Sequence, residues 1–144
     1  MTRFYHIDGL RFDLMGILDI DTVNEIYLRC RAVNPDFMVY GEGWNMPSFL
    51  PEEKRASMQN NGRMPFVAHF SDRFRDVVKG STSAYEIAAK GYCTGNAELI
   101  DVVKNCLSAS CVDFGAGRMF VNPRNVVNYV ECHDNHTSWD KMRE

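Results

Sequence analysis

Ile7-Asp8-Gly9-Leu10-Arg11-Phe12-Asp13-Leu14 is the stretch that decides the fold. Alternate residues of a strand share a face. Gly9, Arg11 and Asp13 therefore lie on one side, and Leu10, Phe12 and Leu14 on the other. A strand with one charged face and one apolar face expects helices over the apolar side. The next segment, Asp19 to Val33, supplies such a helix. Val23, Ile26, Tyr27 and Cys30 follow helical spacing, Asp19 or Asp21 can cap the start, and Asn34-Pro35 ends it.

Further along, the alternation continues. Phe37 to Tyr40 reads as a short strand that stops at Gly41-Glu42-Gly43-Trp44. A long connection from Asn45 to about Pro65 follows, with a short helix expected at Pro51 to Gln59. A connection of that length inside a compact domain is usually functional. Phe66 to Phe70 is a third strand, and Ser71 or Asp72 caps a helix over Arg73 to Lys79 that Gly80 stops. Ala84 to Lys90 is read as a helical turn. Asn96 to Ser108 is read as a helix with Asn96 as its cap and Leu99, Ile100, Val103 and Leu107 as its apolar face. After a loop over 109 to 125, Val126 to Val130 is a fourth strand. Strands alternating with helices indicate an α/β fold with parallel strands.

Composition narrows the function classes. The chain has 144 residues, 45% hydrophobic and 24% charged, as one globular domain would. A net charge of −3, with basic residues interleaved with acids, argues against a nucleic-acid groove or an anionic membrane surface. No apolar run approaches the ~20 residues that span a bilayer. Five cysteines without C-x-x-C spacing argue against a disulfide framework or zinc site and for free, mostly buried thiols. Those thiols, and the lack of a signal-peptide pattern at the N-terminus, lean towards the cytoplasm.

Three strand-like runs end in acids: Asp13, Glu42 and, in Glu131-Cys132-His133-Asp134-Asn135, Asp134. Arg11, two residues before Asp13, can set its guanidinium against that carboxylate and favour the ionised form. An isolated Arg-x-Asp is more often a structural ion pair. Glu42 stands between two glycines with Tyr40 and Trp44 nearby. Aromatic, poorly hydrated surroundings suit a general acid, although a loop glutamate between glycines is an equally good reading. Asp134-Asn135 also fits a strand-terminating turn, and His133 a structural histidine. His133 and His136, three apart, have no partner motif that makes a metal site. Asp113 and Glu131 read as structural or solvated.

The ordered combination is far more specific than its parts. Strand-Arg-x-Asp, strand-Gly-Glu-Gly-Trp and strand-Glu-x-His-Asp-Asn together resemble three conserved regions of the α-amylase superfamily, glycoside hydrolase family thirteen. Tyr5 to Gly16, Gly41-Glu42-Gly43-Trp44, Asp72-Arg73-Phe74-Arg75-Asp76 and His133-Asp134-Asn135-His136-Thr137 resemble the type I pullulanases more closely still. The resemblance runs over nearly the whole chain. It implies a retaining hydrolase acting on α-1,6 links of α-glucans, with Asp13 as nucleophile, Glu42 as general acid and base, and Asp134 holding sugar hydroxyls in the transition state. Arg11 would position Asp13, His133 would bind the sugar beside the scissile bond, and Trp44 would stack on a sugar ring. No cofactor is implied, and structural calcium only for a complete protein.

A complete (β/α)₈ barrel takes ~250 residues. The chain maps onto about strands four to seven, and the family's first conserved region has no counterpart in it. The expectation is a fragment: one partial catalytic barrel domain over residues 1–144, inactive alone, with open sheet edges through which it would self-associate. A non-catalytic remnant, an isoamylase, an α-1,4 amylase or a transglycosylase are the alternatives.

Overall fold

The computed structural model describes residues 2–83 and 85–143. In order, its helices and strands are α1 (Thr2–Tyr5), β1 (Gly9–Phe12), α2 (Ile20–Arg31), β2 (Met38–Gly41), β3 (Val67–Ser71), α3 (Asp72–Lys79), α4 (Ile100–Leu107), β4 (Val126–Asn128) and α5 (Ser138–Arg143). The strands form one parallel sheet in the order β1-β2-β3-β4. The chain divides into two compact units, Met1–Phe70 with Met119–Val127 and Ser71–Arg118 with Asn128–Glu144.

In the first unit the register pairs Leu10 with Val39 and Val39 with Val67. These residues face a core of Met15, Ile20, Val23, Phe37, Ala56 and Met64, with Leu10 and Phe12 packed against it. Each fully buried Met, Val, Ile or Phe side chain of this core contributes about 1.5–3 kcal/mol. Helix α2 starts where Asp19 accepts the Thr22 N–H at 2.8 Å, so Asp19 rather than Asp21 is its cap. It turns Ile20 and Val23 into that core. The other face of the sheet carries Arg11, Met38, Tyr40, Ala68 and Phe70, and Met38 there is 62% exposed.

The expected helix at Pro51 to Gln59 does not form. Only a 3₁₀ turn spans Glu52–Lys54, because the chain then runs extended: Arg55 bridges to Asp19, and the Ala56 N–H donates to the Leu18 carbonyl at 2.8 Å. A second 3₁₀ segment covers Met58–Arg63. Ala56, Ser57, Met58 and Met64 are buried, so part of the long connection belongs to the core.

In the second unit, the Ser71 hydroxyl accepts the Phe74 N–H and caps α3. The helix ends at Gly80, as expected. Of the helical turn expected at Ala84 to Lys90, Ala84 lies outside the described residues, and 85–90 form turns and irregular backbone instead. The Lys141 ammonium organises them by donating to the carbonyls of Ser81, Ile87 and Ala89. The helix expected from Asn96 opens as a 3₁₀ turn over Ala97–Leu99 and becomes α4 at Ile100. Its buried residues are Val103, Asn105 and Cys106, whereas Leu107 is 68% exposed. Asn105 displaces the expected apolar stripe because its amide donates to the Val112 and Gly117 carbonyls and its oxygen accepts from Arg73.

All five cysteines are free, but only Cys106 is buried, while Cys93 and Cys132 are exposed. The expectation of mostly buried thiols is corrected accordingly. Among the described residues, no helix is long and apolar enough to cross a membrane.

Candidate active site

Arg11 lies on β1, Asp13 one residue past its end, and Glu42 one residue past the end of β2. Parallel pairing of Phe12 with Gly41 sets the two ends side by side. Backbone bonds extend that alignment. The Glu42 N–H donates to the Phe12 carbonyl and the Gly16 N–H donates to the Glu42 carbonyl, both at 3.0 Å. Gly16 permits the second contact, since a Cβ there would fall 1.9 Å from the Trp44 carbonyl oxygen.

One guanidinium joins the two acids. Arg11 Nη2 donates to Glu42 Oε1 at 2.7 Å, and Arg11 Nη1 donates to Asp13 Oδ1 at 3.2 Å. The Glu42 side chain is 4% exposed, while that of Asp13 is 60% exposed. Glu42 Oε2 accepts the Leu14 N–H at 3.0 Å. Leu14 presents that amide from the left-handed region, at φ 47° and ψ 40°. The Glu42 oxygens thus face a guanidinium and an amide, and the side chain is poorly hydrated. Arg11 is backed by the Phe70 ring, 5.5 Å from its centroid, and Phe70 packs edge-on against Tyr40. Trp44 is half-buried, two residues after Glu42 in the chain.

His133 and Asp134 belong to the second unit and lie on an exposed turn. His133 Nε2 is 3.5 Å from Asp134 Oδ2, and their side chains are 51% and 58% exposed. The turn is held at its edges. Buried Lys79 donates its ammonium to the His136 carbonyl, and burial pushes the Lys79 pKa down. Glu131 accepts the Ser138 N–H, which holds its carboxyl below the usual range. Thr137 and Asp140 exchange hydrogen bonds across the start of α5, a capping box that lowers the Asp140 pKa. Glu131 therefore has a structural role, as does Asp113, whose carboxylate accepts the Gly115 and Gly117 amides. Cys132, His133 and Asp134 bring ligand-type atoms within 4.8 Å of one another, as three successive residues of an exposed turn readily do.

Two contributors were missed in the sequence. The Leu14 amide has no sequence signal, because its role comes from backbone conformation. Buried His69 did have one, as a histidine inside the apolar run Phe66 to Phe70.

No protein-family model matches the chain. It is 42% identical over 138 residues to the pullulanase of Bacillus subtilis (strain 168), covering 96% of this chain and 19% of that protein. It is 33% identical over 144 residues to pullulanase A of Streptococcus pneumoniae, covering 94% of this chain and 10% of that protein. The chain thus spans at most about a fifth of the length of these curated relatives. Among solved structures, type I pullulanase from Bacillus subtilis complexed with maltose superposes with a TM-score of 0.92 at 41% identity, covering 98% of this chain and 20% of that one. The pullulanase of Anoxybacillus sp. LM18-11 complexed with maltotetraose gives 0.89 at 44% identity, covering 98% and 20%. Over nearly its whole length, the chain is homologous to one segment of the type I pullulanases, glycoside hydrolases of the α-amylase superfamily.

Proposed function

We propose that the chain is a segment of a pullulanase-like retaining glycoside hydrolase that cleaves α-1,6-glucosidic links of α-glucans such as pullulan, starch and glycogen. In this reading all 144 residues form one partial catalytic domain, covering about strands four to seven of a (β/α)₈ barrel. The observation that carries it is the pair of acids at neighbouring strand ends joined by Arg11. Barrels of this class place their chemistry at the C-terminal ends of the strands, where Asp13 and Glu42 stand. The crystallised homologues complexed with maltose and maltotetraose support an α-glucan as the ligand.

Retaining cleavage runs in two displacements. Asp13, the more exposed acid, attacks the anomeric carbon and forms the covalent glycosyl-enzyme. Glu42 protonates the departing glycosidic oxygen, then takes a proton from the water that hydrolyses the intermediate. Arg11 fixes the two carboxyl groups relative to each other. Asp134 and His133 bind sugar hydroxyls, and Trp44 stacks on a ring. Glu42 must release its bond with Arg11 or Leu14 to donate a proton, so substrate entry has to rearrange that contact.

Replacing the corresponding segment of Bacillus subtilis pullulanase with this chain tests the reading. The chimera should release reducing sugar from pullulan, and Asp13→Asn in it should lower kcat on the order of 10³-fold or more while leaving glucan binding. Retained hydrolysis by the variant would remove Asp13 from its role.

A second reading concerns the isolated chain. Its sheet presents exposed Met38 and half-buried Tyr40 and Ala68 on the Arg11 face, lining a cavity of about 410 Å³. Such an open face supports self-association and no turnover for the 144-residue chain alone. A reducing-sugar assay on pullulan should read near zero, and sedimentation should show more than monomer. A monomer with a sharp, cooperative thermal transition contradicts it.

A further inference from the structure

His69 has no part in the roles proposed above. It lies on β3, facing the core side of the sheet, and is fully buried. Among the described residues, neither ring nitrogen has a hydrogen-bond partner. The ring lies against Phe120, with centroids 6.3 Å apart and planes at 27°. Its Nδ1 edge faces Gly43: a Cβ added there would fall 2.2 Å from Nδ1. The imidazole thus fills the space that a side chain at position 43 would need. Gly43 is the link between Glu42 and Trp44, and its carbonyl accepts the Met58 N–H at 2.8 Å.

The charged residues on the segments nearest the ring include Glu42, one residue past the end of β2, Arg63, at the end of the 3₁₀ segment Met58–Arg63, and Arg118, two residues before Phe120. Glu42 is engaged by Arg11 and the Leu14 amide, and the Arg63 guanidinium donates to the Glu53 carbonyl. Burial alone acts on the imidazole's titration and lowers it from 6.5 to about 4. A neutral imidazole without partners costs some desolvation, but an imidazolium in the same apolar slot costs far more. Relief needs water or an acceptor at the ring nitrogens, and the wall before Nδ1 is the Gly43 backbone.

We infer that His69 is a positioning residue for Glu42, its neutral ring forming the floor of the Glu42-Gly43-Trp44 segment and its protonated ring displacing that segment. This deepens the reading of Glu42 as the acid and rests on it for its meaning. Its test reads Trp44 instead of turnover, so the two fail separately.

The chain holds two tryptophans, Trp44 and Trp139. In the Trp139→Phe chain, emission reports Trp44 alone. Lowering the pH should red-shift that emission with a midpoint between 6.5 and about 4, while far-ultraviolet circular dichroism stays constant. His69→Phe, which fills the slot without a titrating group, and His69→Gln should both abolish the shift. A shift that survives in either variant with the same midpoint overturns the inference. If both variants fail to fold, imidazole resonances of the unsubstituted His69 decide. A midpoint matching that of Trp44 supports the coupling. A different midpoint, or the ordinary value an unfolded chain would give, overturns it.

Discussion

The Asp13–Glu42 region and the His133–Asp134 region both carry acids after strands, yet they are built in opposite ways. In the first, the backbone of one strand end is bonded to the next, and one guanidinium spans two carboxylates. In the second, the anchors sit at the edges of a turn, at Glu131, His136 and Thr137, and the His133 and Asp134 side chains are 51% and 58% exposed. Adjacent parallel strands can preform a pair of acids from local pairing alone. A turn beyond a strand fixes its ends and leaves its middle exposed.

Four measurements press on that difference. Arg11→Met should be the most damaging, because it strands the buried Glu42 carboxylate; a loss of about 4 kcal/mol in urea unfolding is expected. Adding Glu42→Gln should restore much of it, and failure to do so would mean that Arg11 acts through packing on Phe70.

Acid should weaken the first region next. The folded pKa of His69 lies below its unfolded value, so the unfolded chain binds the extra proton. Stability from this group is complete above 6.5 and is lost as the pH falls towards about 4. The total is on the order of 3 kcal/mol, and His69→Phe should flatten that part of the stability–pH curve. Gly43→Ala should cost about 2 kcal/mol through overpacking against the same ring, and His69→Ala should rescue it. In the second region Thr137→Ala removes a helix cap and should cost about 1 kcal/mol, seen as faster amide exchange in α5. A larger loss there than for Gly43→Ala would invert the comparison.

The strand and helix order was legible because alternation in Gly9–Asp13 and helical spacing from Val23 to Cys30 are local signals. Asp13, Arg11 and Glu42 stood out because each acid follows an apolar run. What escaped depends on distant partners. The buried face of α4 is set by Asn105 meeting Val112, Gly117 and Arg73, none of which its own helical periodicity reveals. The turns at 85–90 take their shape from Lys141, over fifty residues away. The Arg11 bridge to Glu42 joins positions thirty-one residues apart, whereas the sequence marked only its short-range pair with Asp13.

Leu14 carries one more consequence, in what evolution and engineering can place there. Its contribution to Glu42 is an amide hydrogen held at positive φ, and its side chain takes no part in that bond. Glycine and asparagine enter that conformation more cheaply than leucine. Valine and isoleucine enter it poorly, and proline has no hydrogen to give. Substitutions at this position should therefore sort by backbone preference and ignore hydrophobicity, an order that scanning by side-chain size or polarity would not anticipate.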